Sequence, residues 1–72
     1  MNRIVFDPKI LSGKPIIKDT RISVDFVLEL FASGMTEEEI LIDYPNLKKE
    51  DIRAVFEYAA ETIKKEEVIP IQ

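Results

Sequence analysis

Lys48, Lys49 and Arg53 are the side chains best suited by type and spacing to do chemistry in this sequence. They fall where the turn Tyr44-Pro45-Asn46-Leu47 hands over to a segment of helical periodicity. Cations on the leading turns of a helix suit phosphate contacts, and Arg53 carries the planar fork that pairs with a guanine edge in a major groove. Lys14 and Lys18 supply two further cations nearer the amino end, suited to flanking phosphates. A plainer reading stands beside this one. Glu50, Asp51 and Glu57 share the helix with the three cations, a mixture that also fits a solvated charged face. Lys14 and Lys18 equally fit the lysines that keep short edge strands soluble. Arg21, just ahead of the first helix, is expected to pair with a carboxylate such as Asp25.

Other chemistries have little to stand on. The chain contains no histidine and no cysteine, which removes a thiolate nucleophile, an imidazole base and an ordinary zinc site. Ser12-Gly13-Lys14 lacks the glycine spacing and the closing Ser or Thr of a phosphate-binding loop, and reads as a turn. Glu37, Glu38 and Glu39 are consecutive, so on a helix their carboxylates point in different directions and do not converge on one cation. The expectation is a protein that is not an enzyme, with no cofactor, no metal and no small-molecule substrate.

The elements that must position the cations follow from pattern. Seventy-two residues fit a single domain, 1–72, and 46% apolar with 33% charged residues is globular composition. So short a chain buries a modest share of its surface, and without disulfides or zinc it is expected to self-associate as a homodimer. The longest wholly apolar run is three or four residues, far below the roughly 20 that cross a bilayer, and Met1–Pro8 lacks the apolar core of a signal peptide. A cytoplasmic protein with no membrane contact is expected. The net charge of −4 hides a gradient. Residues 1–24 carry five bases and two acids, residues 25–47 six acids and no base, and residues 48–72 five bases and six acids. An anionic partner would meet the first segment or the Lys48-Lys49-Arg53 group and be repelled by the middle.

Residues 1–22 read as short strands and turns. Ile4 and Phe6 fall at the strand period of two, and Asp7-Pro8 breaks the run. Pro15–Lys18 and Thr20–Ile22 are expected to pair across Asp19 as a tight hairpin. Residues 23–66 read as a three-helix core. Ser23 is the expected cap of a helix with Val24, Val27, Leu28 and Phe31 on one face, and Gly34 suits its left-handed end. Phe26 and Leu30 widen the apolar surface of that helix, which assigns them to a dimer or partner interface. Thr36 to Glu39 spells a capping box, and Tyr44-Pro45 stops the short second helix. The third starts near Lys48 or Lys49, with Ile52, Val55, Phe56, Ala59 and Ile63 as its stripe. Residues 67–72 form a tail whose Val68, Ile69 and Ile71 join the expected interface. The fold class is therefore α+β, mostly α: a short amino-terminal β element followed by a helix-turn-helix-like core of homeodomain or winged type.

Taken together, these segments resemble the domain of unknown function 433 family. Ile4-Val5-Phe6-Asp7-Pro8, Ile10, Gly13-Lys14-Pro15-Ile16-Ile17 and Thr20-Arg21-Ile22 match its opening. Gly34–Leu41, Asp43-Tyr44-Pro45, Leu47, Glu50-Asp51-Ile52 and Tyr58-Ala59 match its second half, so the resemblance runs over roughly residues 3–60. It implies a small prokaryotic helix-turn-helix protein of the kind encoded beside a PIN-like ribonuclease and regarded as a VapB-type antitoxin. Where the family commonly opens the third helix with Ser or Thr, this chain has Lys48, and the loss of such a cap is typically about 1 kcal/mol. The expected function is that of a dimeric antitoxin and autorepressor. It would bind operator DNA through two third helices about 34 Å apart and a PIN-like nuclease toxin through other surfaces. The alternative is an interaction and dimerisation module that never touches DNA.

Overall fold

A computed structural model describes residues 3–65. Strand β1 (Ile4–Phe6) leads through a tight turn at Leu11–Gly13 to β2 (Pro15–Ile17). Three helices follow: α1 (Val24–Ala32), α2 (Glu37–Asp43) and α3 (Lys49–Lys65). The α+β class expected from the pattern is the one observed, a two-stranded antiparallel sheet ahead of three helices. The expected tail, with Val68, Ile69 and Ile71, lies outside the described residues.

The strand pairing differs from expectation. The main partner of β2 is β1, in the register Ile4 with Ile17, Val5 with Ile16 and Phe6 with Pro15. Pro15 needs no ladder donor at the strand's first position, so it is tolerated there. The expected hairpin across Asp19 survives only as a turn, with the Ile17 N–H donating to the Ile22 carbonyl at 2.9 Å and one bridge between Ile16 and Ser23. Thr20 is the physical reason. Its hydroxyl donates to the Ile17 carbonyl at 2.8 Å and accepts the Ile22 N–H at 2.9 Å, curling the segment that would otherwise extend.

The helix ends are set locally. The Ser23 hydroxyl accepts the Phe26 N–H at 3.1 Å. At the far end of α1, Gly34 takes φ +105° while its N–H bonds the Phe31 carbonyl and the Met35 N–H bonds the Leu30 carbonyl, a Schellman closure. Thr36 and Glu39 form the reciprocal capping box at 3.1 and 2.9 Å. Ile17, Val24, Val27, Ile40, Leu47, Ile52 and Val55 make the core, drawn from β2, all three helices and the α2–α3 turn. The stripe expected on α3 is displaced by part of a turn. Ile52 and Val55 are buried, but Ala54 and Asp51 join them, while Phe56 and Ile63 stand at the margin and are exposed. Phe56 instead meets the Phe31 ring at 5.0 Å.

Candidate nucleic-acid interface

α3 is held from behind by Ile52, Ala54 and Val55, all buried, which leaves Lys48, Lys49 and Arg53 exposed at its leading end. Arg53 is 82% exposed, and its Nε donates to Glu57 Oε2 at 3.3 Å, one turn along the same helix. Such exposed pairs are worth about 0.3–0.5 kcal/mol, against about 1–3 kcal/mol for a bidentate guanine contact, so the pair does not sequester the guanidinium. Among the described residues no salt bridge engages Lys48 or Lys49.

Lys18 belongs with this end of the molecule. Its N–H donates to the Arg3 carbonyl at 2.7 Å, and its side chain lines an open groove of about 730 Å³ with Asp19, Arg21 and Asn46. Lys14 does not join them by contact. It sits beside the start of α1, where its Nζ is 3.1 Å from Asp25 Oδ2. That pairing corrects the expectation for Arg21, which is exposed while Lys14 takes the carboxylate. The Ser23 hydroxyl, followed by the Lys14 ammonium, holds the Asp25 carboxyl below its ordinary value.

Two residues to which the sequence pattern assigns no contact of their own complete this end. Asp51 is buried, with Oδ1 accepting from Arg3 Nε at 2.6 Å and Oδ2 accepting the Lys48 N–H at 3.0 Å. The missing Ser or Thr cap at Lys48 is thus offset from the other side, by a carboxylate three residues on reaching back to the N-cap amide. The signal was available: an acid three residues after the expected helix start at Lys48 is half a capping box. Arg3 had no such signal, since its partner lies 48 positions away. Asp51, with smaller contributions from Glu50 and Asp19, pushes the Arg3 pKa up and favours its charged form.

The residues assigned to an interface are partly used within the chain. Phe26 packs edge-on against Tyr44 at 5.6 Å, and Leu30 is half-buried against the core. More open apolar surface lies elsewhere. Phe6, 58% exposed, leans on Tyr58 at 6.1 Å. Tyr58 continues into a groove of about 330 Å³ with Leu28, Ala59 and the 61% exposed Ile63. Among the described residues no group of three or more acidic side chains could hold a metal ion, and no helix is long and apolar enough to cross a membrane.

Fold and site together define a small α+β chain in which a short sheet braces three helices and the last helix leads with exposed cations. Residues 4–59 match the family described as "Protein of unknown function (DUF433)", and the chain belongs to that family. It is similar to the crystal structure of a DUF433 member protein from Anabaena variabilis ATCC 29413, with a TM-score of 0.83 and 29% identity. The match covers 90% of this chain and 64% of that one, so the chain spans just under two thirds of that relative's length. No curated protein matches the chain.

Proposed function

We propose that this protein is a dimeric DNA-binding antitoxin that represses its own operator and also binds a PIN-like ribonuclease. One observation carries the DNA part: Lys48, Lys49 and Arg53 stand exposed on the leading end of α3, while the opposite side of that helix is anchored in the core. The nuclease and the VapB-type assignment rest on the family resemblance alone. In this reading a two-fold dimer sets two α3 helices in successive major grooves, about 34 Å apart. Arg53 exchanges Glu57 for a base edge, the two lysines meet phosphates, and Lys18 and Lys14 flank them.

The test is a gel shift on the DNA upstream of the protein's own reading frame. A dimer neutralising four to six phosphates gives a slope of roughly −4 to −5 for log K against log salt. Absence of any complex at low salt overturns the reading. The second reading, an interaction module without DNA, is favoured by the apolar surface of Phe6, Tyr58 and Ile63. Replacing Lys48, Lys49 and Arg53 together by Ala separates the two. The first predicts lost DNA affinity with nuclease binding retained, and the second predicts no functional effect.

A further inference from the structure

Two caps in this protein do the same local job in different surroundings. On α2, Glu39 reaches back to the Thr36 N–H in an exposed setting. On α3, Asp51 reaches back to the Lys48 N–H while only 4% exposed. Burying a carboxylate carries a large desolvation penalty unless its oxygens are well partnered. Capping alone, as Glu39 demonstrates, does not require that burial. What the buried carboxylate adds is its second oxygen, which holds Arg3 Nε at 2.6 Å. Arg3 in turn accepts the Lys18 N–H on its carbonyl, so a continuous chain of bonds runs Lys18, Arg3, Asp51, Lys48 from the sheet edge to the start of α3.

The guanidinium meets Asp51 through Nε, and its side chain remains 41% exposed. Among the described residues its two terminal nitrogens have no hydrogen-bond partner. Those nitrogens carry four of the five guanidinium donors, and the planar fork suits a phosphate. Their position is fixed by the same carboxylate that fixes Lys48.

We propose that Arg3 is a further phosphate-contacting residue and that Asp51 is its positioning residue, so that the nucleic-acid face spans Arg3 and Lys18 at the sheet edge as well as Lys48 and Lys49 at the start of α3. The inference rests on the DNA reading above and deepens it. Arg3 reaches the backbone of the duplex and carries no sequence preference, whereas Arg53 reads a base. Asp51 touches no nucleic acid.

DNA affinity is measured against salt for the full chain and for the variants Arg3→Ala, Arg3→Lys, Asp51→Asn and Arg3→Ala with Asp51→Asn, at a temperature where circular dichroism shows each folded. Arg3→Ala weakens binding equally on operator and unrelated DNA, and reduces the slope by about 2 per dimer, one phosphate per protomer. Arg3→Lys keeps the slope nearer to wild type but loses affinity several-fold, because the fork is gone. Asp51→Asn is the sharper case. It removes a negative charge, so simple electrostatics would tighten DNA binding; release of Arg3 weakens it several-fold instead. In the Arg3→Ala background Asp51→Asn then causes no further loss. An equal loss in both backgrounds would reduce Asp51 to a helix cap and overturn the inference. A wild-type slope in Arg3→Ala overturns it while leaving the DNA reading intact, provided the Lys48, Lys49 and Arg53 triple variant still abolishes binding. If the unmodified chain binds no DNA, both fall. Should Asp51→Asn not fold, the Arg3→Ala and Arg3→Lys slopes decide alone.

Discussion

Arg3 and Lys14 both pair with aspartates, yet the two pairs differ in what stands behind them. Asp51 is buried, so removing Arg3 strands a charge away from water; Asp25 is exposed and is rehydrated at once. Arg3→Ala is therefore expected to lower the unfolding free energy by more than Lys14→Ala does. Lys14→Ala should change it by less than about 1 kcal/mol. Urea titrations with unchanged m-values would check both. Asp25 also carries an acid dependence of definite sign. Its folded pKa lies below the unfolded value, so the stabilisation is present above the ordinary carboxylate range and is lost as pH falls through the folded pKa. Asp25→Asn should lower stability slightly at neutral pH, by a solvent-screened amount, and leave it unchanged below the folded pKa, so that the acid limb of a stability–pH curve flattens.

At the scale of elements, legibility tracked sequence separation. Ser23, Gly34 and the Thr36–Glu39 pair act on backbone groups within four residues of themselves, and each does what its type and spacing predict. The partner of β2 was not legible. Two β-branched segments flanked Asp19, and only the hydroxyl of Thr20, curling one of them, leaves the more distant β1 to pair. Periodicity placed α3 but set its buried face part of a turn off. It counts apolar residues, and here a carboxylate and an alanine occupy the inside while Phe56 and Ile63 do not. In the candidate site, the three cations of α3 could be read from pattern, whereas the Arg3–Asp51 tie could not. Gly34 gives the cleanest test of element ends. Its α-carbon faces open space, so Gly34→Ala adds backbone strain and no clash. The expected cost is about 1–2 kcal/mol, a fall of roughly 4–16 °C in Tm for a domain of this size.

For the whole molecule, the balance between core and surface matters most. Few large side chains are fully enclosed, and Phe6 and Ile63 remain open on either side of Tyr58. A self-associating chain explains such a surface better than an isolated monomer does. Sedimentation is expected to give twice the 8.3 kDa chain mass. Phe6→Ser with Ile63→Ser should shift that equilibrium toward monomer without unfolding the core, which neither residue enters. A dimer that persists unchanged would move the interface to another face.

The turn at Leu11–Gly13 holds three consecutive residues at positive φ, +52°, +57° and +81°, and only the last is glycine. Winding two ordinary L-residues against their preferred hand leaves a small reserve of strain in a connector that contributes nothing to the core. This makes the connector an inexpensive place to harden the protein. Ser12→Gly should raise the unfolding free energy by up to about 1 kcal/mol, read as a higher melting temperature.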